Sequence, residues 1–333
     1  MDAEFTVNSS NGVNHIHPCY VSDNGSNMFA NNPSIICISL YLFLGLLSVV
    51  TVCGNFLVIF SIIYFRQLHT PTNYLILSLA VADLLVGVLV FPFSMAFTVT
   101  LCMQYESLFC KIRDCFDVTM CTSSILNLCC ISIDRYYAVC EPLTYRTTIN
   151  AQVTAVMILF SWGVSVLIGI GIIVAGFSQG ICEDICSVDI VVANTIGPVF
   201  SFYLPAVIML CIYFKIFLVA QKQLNSIQNK NCLSMKSGAT VSRMERKATK
   251  TLAIVMGVFL LCLTPYFSCV VFQPLYYNPP PFPVIETLNW LTLSNSMLNP
   301  IIYAFFYRWF RSAFRMVISG KIFQRDLVNS RLF

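Results

Sequence analysis

The sequence predicts an all-α membrane protein, a seven-transmembrane helix bundle followed by a short amphipathic eighth helix. Of its 333 residues, 57% are apolar and only 10% are charged. A soluble protein carries about 25% charged residues, so this chain has too little charge to cover a soluble surface. Apolar chains cross a bilayer as helices of about 20 residues, because lipid offers no partner to an unpaired backbone group.

Seven apolar stretches are long enough to cross the bilayer and are predicted to be its spanning helices. In chain order they are 35–64, 73–98, 110–140, 153–175, 191–220, 249–272 and 284–305. After them, apolar residues recur at helical spacing opposite Arg308, Arg311 and Arg315. That pattern predicts an amphipathic helix on the inner leaflet, with the apolar stripe Trp309, Phe310, Ala313, Phe314 and Val317.

The distribution of Lys and Arg predicts the orientation of the chain in the membrane. With the N-terminus outside, every basic residue except Lys111 and Arg113 falls on the inner face, as the positive-inside rule requires. We therefore predict a multi-pass plasma-membrane protein with an extracellular segment (1–34), a helix bundle (35–305) and a cytoplasmic helix and tail (306–333). The net charge of +4 reflects this inner-face bias and does not indicate nucleic-acid binding.

Two acceptor patterns for N-glycosylation begin at Asn8 and Asn24, in the segment predicted to be extracellular. Most of the 16 cysteines lie in apolar spans, where they act as small hydrophobes. No CxxC pair or His cluster predicts a metal site.

Asp83 lies in the middle of the second span, where a carboxylate needs donors or a cation. Five polar residues of other spans fall at a comparable depth: Asn55, Ser124, Asn295, Ser296 and Asn299. These residues predict a polar cluster around Asp83 that holds water or a cation such as sodium. A hydrogen-bonded, protonated Asp83 is the alternative.

Asp117 follows Cys110 by two helical turns, so both residues face the same side of the third span. We expect no Lys or Arg of another span to neutralise this carboxylate. A buried carboxylate either takes up a proton or binds a cation from outside, and an amine ligand is the simplest such cation. A structural, protonated aspartate remains the alternative.

The same span ends on the inside with Asp134, Arg135 and Tyr136, about 27 Å from Asp117 along the helix. One helix therefore joins a carboxylate near the outer surface to a charged group near the inner surface. Glu245, at the inner start of the sixth span, is a candidate second partner for Arg135. A snorkelling interfacial arginine is the alternative reading.

Together these residues resemble the rhodopsin-like G-protein-coupled receptors over all seven spans. The resemblance rests on an ordered set of marks: Gly54-Asn55, Leu79 to Asp83, Asp134-Arg135-Tyr136, Trp162, Pro205 with Tyr213, Phe259 with Cys262 and Pro265, and Asn299-Pro300 to Tyr303. Within that class the chain is similar to the trace amine-associated receptors of the fish type. Three segments carry this closer likeness: 17–20, 69–73 and 295–310.

The family resemblance implies roles for individual residues. Asp117 would bind the ligand ammonium, with Tyr266 and Phe267 as aromatic walls and Val118, Cys121, Ser201, Asn289 and Leu293 as further ligand contacts. Coupling would use Asp134, Arg135, Tyr136, Tyr213, Glu245, Asn299, Pro300 and Tyr303. Two disulfides are implied, Cys110–Cys186 and Cys19–Cys182.

Three positions depart from the family pattern. Leu263 stands where the family usually has Trp, and Leu293 where it often has Tyr. The fifth span lacks the additional acid of some fish members around Ser201. With one anchor, the site is predicted to prefer monoamines with an apolar tail over diamines, unless Glu286 or Asp189 catches a second ammonium.

The resemblance implies a non-enzymatic amine receptor of olfactory neurons, which signals through a stimulatory or olfactory G protein to raise cyclic AMP. Its predicted partners are a small amine, that G protein and membrane lipid; no cofactor is predicted apart from sodium at Asp83. A neurotransmitter-type aminergic receptor is the alternative within receptors. An amine transporter is the alternative of another class, although it would usually be larger and internally symmetric.

Overall fold

The computed structural model describes residues 35–100, 108–178, 197–229, 236–272 and 282–319. These residues are almost entirely helical and include no β-strand, which confirms the predicted all-α class. The helices are α1 Ile35–Tyr64, α2 Pro71–Leu85, α3 Phe91–Thr100, α4 Leu108–Cys140, α5 Pro142–Thr148, α6 Ala151–Ser178, α7 Leu204–Asn229, α8 Lys236–Phe272, α9 Phe282–Phe306 and α10 Arg308–Ile318.

Six stretches of these helices are long and apolar enough to cross a membrane. They are Tyr41–Tyr64, Pro71–Met95, Cys115–Cys140, Ala151–Gly171, Val199–Lys222 and Ala253–Phe272. The remaining predicted span corresponds to α9, whose 25 residues are also long enough. Helix α9 is less apolar because it contributes buried amides and hydroxyls, among them Asn295, Ser296 and Asn299.

Two wide helical turns of the π type interrupt the spans. Val86–Val90 joins α2 to α3, and Val199–Tyr203 precedes α7. Each such turn adds a residue to the helical repeat and so changes which side chains face inward; π turns are frequent at functional sites. Neither turn was predicted from the hydrophobic period.

Contacts cluster into two units, Met1–Leu46 and Leu47–Phe333. The described part of the first unit is the beginning of α1. In the second unit α4 is the central helix: 67% of its apolar stretch is buried, and it contacts α2, α6, α7 and α8. By contrast, only 22% of the α6 stretch is buried. Exposed side chains such as Leu167 and Leu261 are those of helices that face lipid.

The cytoplasmic ends differ from the predicted boundaries. Helices α7 and α8 continue beyond the predicted spans, to Asn229 and from Lys236. The short helix α5 follows α4 directly and was not predicted. Helix α10 confirms the predicted amphipathic helix and buries Trp309, Phe310 and Ala313, whereas Phe314 is exposed although the spacing placed it on the apolar stripe.

Candidate functional site

Helix α4 contributes to three sites. It carries the charged residues of two of them, and at the third it supplies a hydrogen-bond partner for a carboxylate on another helix. Asp117 lies in its first half and Arg135 in its last turns. Between them, Ser124 contacts the Asp83 carboxylate of α2. A movement of α4 would therefore change the contacts of Asp117, Asp83 and Arg135 together.

Asp117 is half-buried, and its carboxylate contacts the next turn of its own helix. The Cys121 thiol donates to Asp117 Oδ1 at 4.0 Å. Residues four apart share a helix face, so Asp117 and Cys121 belong to one surface of α4. Val118, beside Asp117 in the chain, is also half-buried.

An aromatic stack joins α8 to the wide turn before α7. The Phe202 and Phe267 rings are parallel within 4°, with centroids 4.4 Å apart. Tyr266 meets Phe267 edge-on at 5.6 Å. The wide turn buries Ser201 and Phe202 together, so Phe202 belongs to the aromatic wall although sequence reasoning did not include it. The sequence offered one indication of this role, because Phe202 is adjacent to Ser201, a predicted ligand contact.

The two leucines that depart from the family pattern are fully packed. Leu263 is 2% exposed and lies in one core cluster with Phe259 and Cys262. Leu293 is 1% exposed and packs in a second cluster with Met120 of α4 and with Val86, Val90 and Phe91 of the α2–α3 region. The structure thus fills both positions with apolar contacts. Asn289, one turn before Leu293, is buried as well.

Asp83 is fully buried, and its carboxylate accepts hydrogen bonds from side chains of α4 and α9. Ser124 Oγ donates to its Oδ1 at 3.2 Å, and Asn299 Nδ2 donates to its Oδ2 at 2.8 Å. Asn55 does not bond this carboxylate; its Nδ2 donates instead to the Ser296 carbonyl oxygen at 3.0 Å. Asn55 therefore links α1 directly to the backbone of α9 and is not a hydrogen-bond donor to the Asp83 carboxylate.

The donor set around Asp83 suits a small hard cation or water. Asn295, Asn299 and Asn55 each bury an amide oxygen that has no partner among the described residues. Buried polar atoms are normally satisfied by protein or ordered water, and oxygen ligands are those that hard cations prefer. A carboxylate with nearby uncommitted amide oxygens fits such a cation. In the part of the chain that the structure describes, no three His, Cys, Asp or Glu residues are placed so that they could hold a metal ion together.

Asp134 and Arg135 form a closed network at the inner end of α4, which we call the inner switch. Arg135 Nε and Nη2 donate to Asp134 Oδ2 at 2.9 and 2.5 Å. Thr72 of α2 and Tyr145 of α5 each donate to the Asp134 carboxylate at 2.8 Å. Arg135 also donates to the Thr72 hydroxyl. Sequence reasoning missed Thr72 and Tyr145, because only folding brings α2, α4 and α5 together.

Burial is the main cause that raises the pKa of the Tyr145 hydroxyl above its ordinary value. The negative charge of the Asp134 carboxylate is the second cause. The phenol therefore keeps its proton at physiological pH and remains a donor to Asp134.

Other predicted coupling residues lie inside the bundle, near Pro300 within helix α9. Tyr303 is 1% exposed, and its hydroxyl is buried without a partner among the described residues. A Cβ atom at Gly54 would lie 2.8 Å from Pro300 Cβ, so only glycine permits this approach of α1 to α9. Tyr213 packs against the same core cluster, and Tyr136 contacts Tyr137 edge-on.

Several predicted residues lie outside the described part of the chain. They are Asn8, Asn24, Cys19, Cys182, Cys186 and Asp189. Cys110 and Glu245 belong to described helices, but their side chains do not belong to the described set. Both disulfides and the Arg135–Glu245 pair therefore stay predictions.

Comparison with known proteins decides the family. The sequence profile of the 7 transmembrane receptor (rhodopsin family) matches residues 54–303. The chain is 45% identical over 312 residues to trace amine-associated receptor 1 of Macaca mulatta, which covers 89% of this chain and 92% of the relative. This chain belongs to the rhodopsin family of seven-transmembrane receptors, among the trace amine-associated receptors.

Two further relatives support this membership. Trace amine-associated receptor 1 of Homo sapiens is 44% identical over 312 residues, covering 89% of this chain and 91% of the relative. Trace amine-associated receptor 4 of Mus musculus is 40% identical over 328 residues, covering 94% of each chain. The chain is therefore a membrane receptor and not an enzyme. The profile match includes the whole inner switch and the Asp117 region of α4.

Proposed function

We propose that this receptor binds small amines, with the Asp117 carboxylate as the anchor for the ligand ammonium. The observation that carries the proposal is the placement of a half-buried carboxylate on the central helix, in a chain whose relatives are trace amine-associated receptors. An ammonium about 4 Å from this carboxylate would gain roughly 4 kcal/mol at an effective dielectric constant of 20. The stacked Phe202 and Phe267 rings supply an apolar wall for the ligand's tail.

The test is a cyclic AMP screen of cells that express the receptor, against a panel of mono- and diamines. Asp117→Asn keeps the shape of the side chain and removes its charge. We expect it to abolish the amine response at unchanged surface expression. The control is Glu141→Gln, which removes an exposed acid just beyond α4. A normal dose response in Asp117→Asn would remove Asp117 as the anchor.

The proposed signalling partner is a heterotrimeric G protein of the stimulatory or olfactory type, which raises cyclic AMP. An exposed apolar side chain beside the inner switch supports the proposal that a protein partner docks there. Leu143 lies on α5, which follows the membrane-spanning stretch of α4, and it is 96% exposed. Tyr145 of the same short helix donates a hydrogen bond to Asp134. Leu143 thus lies two residues from a direct contact with the switch.

Two variants separate coupling from ligand binding. Leu143→Ala should weaken G-protein activation at unchanged amine affinity, whereas Thr147→Ala, an exposed position on the same helix, should leave it unchanged. Arg135→Ala should abolish coupling and spare ligand binding. Full coupling in both Leu143→Ala and Arg135→Ala would refute this inner docking surface.

The proposed location is the plasma membrane of olfactory neurons, with the N-terminus outside. The concentration of basic residues in the loops assigned to the inner face supports this orientation. An epitope at the N-terminus should be accessible to antibody on intact cells, and one at the C-terminus only after permeabilisation. The neuronal site is tested by the tissue distribution of the transcript.

A sodium ion is proposed near Asp83, with Asp83 and Ser124 as the residues that would hold it and the amide oxygen of Asn295 as a candidate third. A bound cation would supply positive charge to a buried carboxylate. Sodium should lower agonist affinity in the native receptor, and Asp83→Asn should remove that sensitivity. Equal sensitivity in the variant would exclude Asp83 as the ligand.

The proposed ligand preference is for monoamines with an apolar tail, because α7 and its preceding turn, from 199 to 222, contribute no acid. A diamine would leave its second ammonium poorly paired. If diamines are the most potent agonists, and Glu286→Gln or Asp189→Asn reduces their potency, a second acid lies elsewhere in the site.

The remaining extracellular proposals concern covalent structure. The pairs Cys110–Cys186 and Cys19–Cys182 and glycans on Asn8 and Asn24 are supported by their place in the sequence on the side assigned to the exterior. Peptide mapping without reduction tests the pairs: a free Cys19 thiol would exclude the second one. A mass shift on glycosidase treatment tests the glycans.

The alternatives found from sequence have less support. Membership among the trace amine-associated receptors disfavours both the neurotransmitter-type receptor and the transporter. Accumulation of labelled amine in vesicles that lack G protein would revive the transporter.

A further inference from the structure

An interhelical hydrogen bond joins α8 to the wide turn that precedes α7. The hydroxyl groups of Tyr203 and Ser268 lie 3.2 Å apart, and either of them can donate to the other. Among the described residues, α8 packs extensively against α9 but only sparsely against α7. Because apolar packing between α7 and α8 is sparse, the Tyr203–Ser268 bond has a large share in fixing the distance between these two segments.

Each partner of this bond stands next to one ring of the aromatic stack. Tyr203 follows Phe202 in the chain and meets its ring edge-on, at 72° with the centroids 5.1 Å apart. Ser268 follows Phe267, whose ring lies parallel to that of Phe202 at a centroid distance of 4.4 Å. The hydrogen bond thus connects the two segments directly beside the two stacked rings.

The part of α8 that carries Phe267 and Ser268 begins just beyond Pro265, which lies inside the helix. A proline has no N–H to donate, so it removes one bond of the helical ladder. Helices bend most readily at such a point. The outer part of α8 therefore has a freedom to move that the rest of the helix lacks, and the Tyr203 hydroxyl restrains it from the neighbouring segment.

The two stacked rings differ in what they can offer a ligand. Phe202 is 1% exposed, and it packs against Phe259 as well as Phe267. Phe267 is half-buried, so part of its ring stays accessible. Aromatic rings attract each other best at defined offsets and angles. The orientation of the Phe267 ring therefore matters more to a flat aromatic group than to a puckered saturated one.

We propose that Tyr203 and Ser268 are positioning residues, whose hydrogen bond holds Phe267 parallel to Phe202 and so makes the aromatic wall selective for amines with a flat aromatic tail. The inference rests on the proposed amine function. Neither hydroxyl group has to touch the ligand. A planar ring gains from a correctly oriented aromatic wall, whereas a puckered saturated ring gains only from apolar contact.

The test compares phenethylamine with cyclohexylethylamine, which has the same carbon skeleton but a puckered ring. Both are measured by half-maximal concentration for cyclic AMP and by displacement of labelled phenethylamine on membranes from the same cells. In the native receptor phenethylamine should be favoured. Tyr203→Phe and Ser268→Ala each remove one hydroxyl group and should reduce that preference by about threefold, the typical strength of an interhelical hydrogen bond in a membrane.

Three further variants separate positioning from a general effect on folding. Ser268→Thr keeps a hydroxyl group and should preserve the preference. The double variant of Tyr203→Phe with Ser268→Ala should lose no more than either single one, because both remove the same bond. Ser294→Ala is the control, because the Ser294 hydroxyl donates to the Leu291 carbonyl oxygen of its own helix, and it should leave the preference unchanged.

Three outcomes would overturn the proposal, and they are distinguishable from failure of the amine function. An equal change for both amines in Tyr203→Phe means that the bond serves stability alone. A loss in Tyr203→Phe but not in Ser268→Ala makes the tyrosine hydroxyl a direct ligand contact instead. A native receptor that does not favour phenethylamine has a wall that does not select flat rings. If no amine of the panel binds or signals, the amine function itself fails and this selectivity fails with it.

Discussion

The inner switch depends on a hydrogen bond that a single-atom change removes. Tyr145→Phe deletes the hydroxyl that donates to Asp134 Oδ1 at 2.8 Å and leaves the ring in place. Asp134 is completely buried, and a hydrogen bond to a charged group contributes about 1.5–3 kcal/mol. Asp134 then keeps Thr72 and Arg135 as partners, so the network loosens rather than collapses.

The expected effect on signalling follows from that energy. If the bond is made in the resting state and not in the signalling state, its loss raises the population of the signalling state by about tenfold or more, since about 1.4 kcal/mol is a factor of ten. Basal cyclic AMP per receptor at the surface should rise accordingly. Amine affinity should rise as well, because the competent state is more populated.

Three variants make the measurement specific. Thr72→Val removes the other neutral donor to Asp134 and should act in the same direction as Tyr145→Phe. The double variant tests whether the two effects are coupled, as expected for donors that share one carboxylate. Thr144→Val is the control, because Thr144 is exposed on the same short helix and its hydroxyl donates to Glu141, the residue before that helix, and not to Asp134.

Unchanged basal output in both Tyr145→Phe and Thr72→Val, at normal surface expression, would refute the reasoning. It would mean that these hydrogen bonds are equally strong in the resting and signalling states. They would then contribute to folding and not to the switch.

Three further substitutions test contacts that hold the helices together. Gly54→Ala should destabilise the receptor by about 1–3 kcal/mol, seen as a lower melting temperature in detergent, because its Cβ would meet Pro300 at 2.8 Å; an unchanged melting temperature would contradict that close approach. Trp162→Phe loses the 3.0 Å bond to Ser78 and should cost about 1–3 kcal/mol, whereas Ser78→Ala in the Trp162→Phe background should add little. Arg311→Gln should lower stability by up to about 1 kcal/mol, because its guanidinium bonds the last carbonyls of α9; an equal effect of Arg315→Gln would argue against this capping role.

The wide turns show how local deviations escape sequence reasoning. Hydrophobic content placed a helix across 73–98, and the structure has one there, but a wide turn at Val86–Val90 interrupts it. An extra residue in a turn changes side-chain direction without changing composition, so an average over apolar residues does not register it. Phe202 joined the aromatic wall for the same reason.

The amino-acid sequence by itself determined the helical class and the approximate positions of the spans, and it led to the receptor family. Each depends on information local to a segment: apolar length, the spacing of charged side chains, and short motifs such as Asp134-Arg135-Tyr136. The structure adds that Arg135 pairs with Asp134, which adjacency on a helix does not by itself predict, because neighbouring side chains do not face each other.

Only the tertiary structure decided which segments meet at each site. Thr72 and Tyr145 reach Asp134 from 62 and 11 residues away, and Asn55 bonds the Ser296 backbone rather than Asp83. Cys121, Leu263 and Leu293 lie on three different helices and line one small cavity. Such contacts depend on how the helices rotate and approach one another, and that is set by the sum of many packing interactions, which no single segment of the sequence contains.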